Sequence, residues 1–203
     1  MIVPIGDDAL FARTDEPQGV IAARAHALRM HPAFAEAVPT SGGLTVVFDP
    51  LVTPRAAAAA LLEDFVRRPA PVAEGAGDAL TVRVRYDGPD LPAVAEAAGM
   101  TPRGVAEAHA SAAYTVLFLG FTPGFAYLGG VPDVLADVPR LAVPRVRTPA
   151  GSVGIAGGRT GVYALGGPGG WPVIGRTEDV LLDARTAAPA MTPGRPVRFV
   201  PVR

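Results

Sequence analysis

Three arginines, Arg145, Arg159 and Arg176, flank two glycine-rich segments, "GSVGIAGGRTG" (151–161) and "GGPGGWPVIGRT" (166–177), and the single Trp171 lies inside the second. A guanidinium presents paired donors that match carboxylate and phosphate oxygens. Glycine-rich backbone offers N–H groups that cup an anion. Together they read as a recognition surface for an oxygen-bearing anionic ligand. The competing reading is a set of hairpin turns and bulges that need positive φ. Neither segment is GxGxxG opening a helix, because β-branched residues and proline follow.

The serine in "AGSVG" (150–154) approximates a nucleophile elbow, but an elbow's histidine base follows its serine in the chain. Here His26, His31 and His109 all precede Ser152, and the segment after it reads as a hairpin. The bland reading of Ser152 is a Gly-Ser turn. The histidines form no HxH or HExxH pair, so no zinc signature exists and no metal site is expected. His109 falls near the end of a short helix, where it can complement the dipole. A further cluster, "GFTPGFAYLGG" (120–130), sets Phe121, Phe125 and Tyr127 among four glycines, with Pro123 fixing one φ. These rings are expected to plug a barrel mouth, with a pocket lining as the alternative.

Composition narrows the chemistry. There is no Cys, which removes thiolate and disulfide chemistry, and no Lys: all 18 basic residues are Arg. A P-loop lysine and a Schiff-base amine are therefore impossible. The net charge of −1 is spread without a basic stripe, so neither nucleic acid nor a membrane surface is an expected partner. No apolar run reaches the ~18 to 20 residues of a bilayer span, and no signal peptide is visible, which predicts a cytoplasmic protein.

The elements that must position these residues follow from spacing. Strands are predicted over 2–5 and 9–13 around a turn at 6–8, a helix over 17–30, a strand over 44–48, and a helix capped by Thr53-Pro54 and running to about 68. That order suits a small α+β layer domain over 1–78. "RPAPVAEGAGDA" (68–79) reads as a linker. A strand over 80–86 and helices over 91–98 and from 101 come next. Short strands at 113–119, 152–156, 160–165, 171–175, 179–183 and 196–202 then argue for a barrel or sandwich over 79–203.

The segments "FLGFTPGFAYLGG", "PRVRTPAGSVGIAGGRTGVYALGGPGGWPVIGRT" and "PGRPVRFVPV", with the earlier "HPAFAEAVPTSGGLTVVFDP" and "GMTPRGVAEAHASAAYTV", closely resemble the B subunit of bacterial 5-oxoprolinase. That family is also described as allophanate hydrolase subunit 1, as the KipI-type inhibitor, and as carboxyltransferase subdomain C. The likeness covers almost the whole chain. It implies an α+β N-terminal domain followed by a mainly-β cyclophilin-like barrel domain. It also implies work in a complex with the family's C subunit and an amidohydrolase-like A subunit, opening 5-oxoproline to glutamate with ATP and Mg²⁺ as co-substrate.

Carried over by the family's pattern, the site-forming set is His109, Pro123, Gly124, Tyr127, Arg145, Ser152, Gly169, Gly170, Trp171 and Arg176. The resemblance puts Arg176 or Arg145 on phosphate or carboxylate, with Ser152 and Tyr127 as hydrogen-bonding groups. Family members often carry Gln where Arg159 and Pro172 stand, so Arg159 adds a charge beside the site. A second reading of the same motifs is a regulator that inhibits a sensor histidine kinase. A third is a carboxyltransferase part of a biotin-dependent system, whose carrier and carboxylase segments this chain lacks.

Overall fold

A computed structural model describes residues 1–69 and 78–203, which fall into two compact units, Met1–Ala76 and Gly77–Arg203. Most of the expected linker, residues 70–77, lies outside the described residues.

In the first unit, strands β1 (Ile2–Ile5), β2 (Ala9–Arg13), β3 (Glu36–Thr40) and β4 (Gly43–Val47) form an antiparallel sheet in the order β1-β2-β4-β3. Alternation puts Leu10, Ala12, Ala37, Leu44 and Val46 on one face. That face packs with Ile21, Ala25 and Leu28 of helix α1 (Gln18–Arg29), and with Ala58 and Leu62 of α2 (Arg55–Arg67). The cap of α2 is Pro54, one residue later than the expected Thr53, and no side chain caps it. One charge is built into this core. Arg24 is 2% exposed and donates to Glu16 at 2.6 and 2.7 Å and to the carbonyls of Phe65 and Arg68 at 2.9 and 3.0 Å. Its guanidinium fastens α1 to the end of α2, and it holds the Glu16 carboxyl below the usual range, chiefly by that hydrogen bond.

In the second unit seven strands form one sheet: β5 (Leu80–Val84), β6 (Tyr114–Leu119), β7 (Ala126–Gly129), β9 (Ser152–Ala156), β10 (Arg159–Val162), β12 (Val173–Arg176) and β13 (Pro196–Pro201), in the order β12-β9-β10-β7-β6-β13-β5. Only β13 and β5 are parallel. The two ends of the sheet meet at Arg85 and Arg176, whose backbones exchange two 2.9 Å hydrogen bonds, so the sheet curls into a nearly closed barrel. Inward residues such as Val82, Val116, Leu128, Ile155, Val162 and Phe199 share one core with Leu91 and Val94 of α3 (Leu91–Ala97) and Val105 of α4 (Pro102–Ser111). Thr101 caps α4 as its sequence predicts, accepting from Gly104 N–H at 3.0 Å. Helices, not the 120–130 aromatics, complete the barrel interior.

A short helix, α5 (Asp133–Ala136), and a separate ribbon of β8 (Arg145–Thr148) paired with β11 (Gly167–Gly169) complete the unit. The strand expected over 179–183 does not form. Only an isolated Leu182–Pro189 bridge occurs there, and Asp179 turns instead to accept from the Arg83 backbone N–H at 2.7 Å.

Candidate functional site

A cleft of about 600 Å³ opens on the outside of the barrel, between the β8 ribbon and strands β9 and β12. It gathers Arg145 from β8, Ser152 from the start of β9 and Arg176 from the end of β12, together with Asp87, Thr148 and Glu178. Strand pairing sets their proximity: Ser152 lies opposite Arg176 in the β9–β12 register. Both arginines have fixed acidic partners. Arg176 Nη2 lies 2.8 Å from Asp87 Oδ2 at the solvent-facing rim. Arg145 Nη2 donates to Asp90 Oδ1 at 2.5 Å, and that hydrogen bond is the main cause of the raised guanidinium pKa. The other oxygen of Asp90 accepts from Val173 N–H at 2.7 Å, tying the β8 ribbon to β12. Ser152 is buried, and no histidine lines the cleft beside it.

A second cluster lies on the same outer surface. Alternation along β7, β9 and β10 sends Ala126, Leu128, Val153, Ile155 and Val162 inward and leaves Tyr127, Gly154 and Gly161 facing out. The outward glycines make room for rings: a Cβ at 161 would stand 3.1 Å from the Phe125 ring, and one at 154 would stand 3.1 Å from Trp171 Cβ. Phe125, Tyr127, Tyr163 and Trp171 pack edge to face there with centroids 5.0 to 5.5 Å apart.

Phe121 extends this cluster into solvent at 57% exposure. It sits at φ +69° in a three-residue turn closed by Thr122 N–H donating to Gly120 O at 2.9 Å. A γ-turn with positive φ at a bulky residue is strained. The turn that carries Pro123 and Gly124 thus projects an aromatic ring outward. The rings expected to plug the barrel mouth form an outer aromatic layer instead.

The remaining expected residues divide. Gly169 pairs with Arg145 in the ribbon, and Gly170 O accepts from Leu141 N–H at 2.8 Å; neither lines the cleft. Among the described residues the Arg159 side chain bonds only the carbonyl of Gly158, at 3.1 Å, and it does not line the cleft.

His109 lies in the barrel core, fully buried. Thr160 Oγ1 uses its one proton on Gly154 O at 2.8 Å, so it must accept from His109 Nε2–H at 2.9 Å. His109 Nδ1 then accepts from Tyr86 O–H at 2.8 Å. Burial pushes this imidazole down to a pKa of about 3. The structure therefore holds His109 as a neutral, fully bonded ring in the barrel core, and it is not among the residues that line the cleft.

Asp90, Thr148 and Tyr163 carry little signal in the sequence. Only the "DLP" helix entry at Asp90 has a local one, and that signal is of a cap. Among the described residues no three His, Asp or Glu side chains converge as a metal-ligand set.

A family model described as carboxyltransferase domain, subdomain C and D, matches residues 1–192. The chain is 43% identical to the 5-oxoprolinase B subunit of Escherichia coli O157:H7 over 176 residues, 84% of this chain and 79% of that protein. It is 34% identical to the 5-oxoprolinase B subunit of Bacillus subtilis strain 168 over 220 residues, 98% of this chain and 91% of that protein. Among solved structures, TTHA0988 superposes with a TM-score of 0.83 at 35% identity; the match covers all of this chain but 41% of that one. By sequence and by fold, the chain belongs to the carboxyltransferase subdomain C and D family, alongside proteins named as the B subunit of 5-oxoprolinase.

Proposed function

We propose that this chain is a non-autonomous subunit of a bacterial ATP-dependent 5-oxoprolinase. It would work with the family's C subunit and an amidohydrolase-like A subunit, and the cleft at β8, β9 and β12 would be its share of the working site. The observation that carries this reading is the convergence of Arg145, Ser152 and Arg176 on one cleft, with Arg145 already oriented by Asp90.

The chemistry fits. A lactam is an unreactive amide, and phosphorylating its carbonyl oxygen turns that oxygen into a leaving group. Such a transfer requires positioning and charge neutralisation more than a covalent nucleophile. Arg176, exposed at the rim, suits the phosphates of ATP or the substrate carboxylate. Asp87 and Asp90 are both engaged by arginines, so Mg²⁺ would arrive with the nucleotide. The outer aromatic layer around Phe121, half-exposed and beside the cleft's ribbon, suits contact with a partner protein of the same assembly.

The test is reconstitution. ATP hydrolysis is measured with and without 5-oxoproline for this chain alone, for its pair with the C subunit, and for all three subunits together. The proposal expects turnover stimulated by 5-oxoproline only in the assembled complex, and glutamate once the amidohydrolase-like partner is present. A complex indifferent to 5-oxoproline would favour the regulator that binds a sensor kinase.

A further inference from the structure

The floor of the cleft holds donors that the fold leaves without acceptors. Thr148 is fully buried and its Oγ1 has no hydrogen-bond partner; Arg145 Nη1 is likewise shielded and unpartnered. Both residues belong to β8 and line the same cleft. Leaving such groups unpaired costs stability, and native folds rarely do so without a reason.

Arg145 has little freedom to turn elsewhere, because Asp90 grips its other nitrogen and is itself fixed by Val173 N–H. The glycine at 169 lets the ribbon backbone pass close to the Thr148 hydroxyl. A Cβ at that position would stand 2.5 Å from Thr148 Oγ1 and 2.6 Å from Tyr163 Oη.

Charge selects the guest. Arg145 and Arg176 at the cleft are balanced by Asp87 and Glu178, and Asp90 behind Arg145 adds a further negative charge. A full anion on the floor would meet that charge at short range and low dielectric, whereas a neutral acceptor oxygen would not.

We propose that Arg145 Nη1 and Thr148 Oγ1 form a subsite for a neutral carbonyl oxygen, that of a cyclic amide, with Asp90 as the positioning residue. This rests on the reading of the cleft as the working site of a lactam-opening complex, and it deepens that reading by separating the carbonyl-holding floor from the anion-facing rim at Arg176. The arrangement resembles other sites in which donors fixed in advance hold a carbonyl oxygen.

The test uses the full chain without partners, so it does not depend on ATP turnover. 2-Pyrrolidinone, 5-oxoproline and inorganic phosphate are titrated at constant ionic strength and followed by the amide NMR signals of β8. Both lactams are expected to shift these signals saturably, and phosphate is not. Thr148→Val, which keeps the shape and removes the orphan hydroxyl, is expected to weaken lactam binding about tenfold or more without lowering the melting temperature. Thr148→Ser, which retains the hydroxyl, is expected to bind as wild type.

Absence of saturable lactam binding would overturn the proposal. So would phosphate binding that Thr148→Val abolishes, or lactam binding that Thr148→Val leaves unchanged. Lactam binding by a chain whose assembled complex ignores 5-oxoproline would sink the enzyme reading and leave the subsite standing.

Discussion

At the scale of single residues, His109 shows how a chemically versatile side chain is spent on architecture. Its two ring nitrogens link Tyr86 to Thr160 across the barrel interior, and its pKa falls to about 3 because burial penalises the cation. A histidine whose folded pKa lies below its unfolded value of about 6.5 contributes stability above that unfolded value and loses it as pH falls toward the folded one. Between pH 6.5 and 5, before most carboxylates titrate, the slope approaches about 1.4 kcal/mol per pH unit at the acid end of that window. Urea unfolding at pH 7 and pH 5 should therefore show a loss of order 1 to 2 kcal/mol that His109→Gln largely removes; equal losses in both proteins would discount this histidine. The arginines at 145 and 176 announced anion-recognition chemistry by their type, Ser152 entered only through the family resemblance, and the fold brings the three to one cleft. Asp90 and Thr148 announced no such chemistry, because their importance lies in distant parts of the chain that face them, Arg145 for the one and Gly169 for the other.

At the scale of elements, the outward faces of β9 and β10 depend on missing side chains. Gly161 lies beneath the Phe125 ring, and a Cβ there would approach Ala126 O to 2.6 Å. Neither the strand nor the buried ring can yield cheaply, so Gly161→Ala is expected to destabilise the protein by about 1–3 kcal/mol and to disturb Trp171 fluorescence. An unchanged denaturation midpoint would contradict that packing. Elements with a local signal were legible in the sequence: β1, β2 and β9 form over the residues expected of them, β5 forms within the predicted strand at 80–86, and Thr101-Pro102 starts α4 where expected. Elements whose existence depends on neighbours were not. β3 contains Pro39, tolerable because the strand is at an edge. β8 and β11 are a short ribbon held by each other, with a register shift between Gly167 and Gly169. β7 lies inside a stretch so rich in glycine and aromatics that its alternation is obscured. The 179–183 segment failed the opposite way: its apolar residues have a strand's composition but no neighbouring strand accepts them.

At the scale of the whole molecule, the barrel's closure at Arg85 and Arg176 places a backbone junction and a cleft-lining side chain in the same residue. The Arg176 side chain points out from that seam and is largely exposed, so its removal should leave the fold intact while emptying the rim of the cleft. The most direct measurement is 5-oxoproline-dependent ATP hydrolysis by the fully assembled enzyme carrying Arg176→Ala, beside the melting temperature of the variant chain. The account predicts a fall of about 10²- to 10³-fold, the size expected for losing a charge-stabilising group from a working site, at an unchanged melting temperature. Full activity in that assembly would show that the cleft is not where the reaction is served.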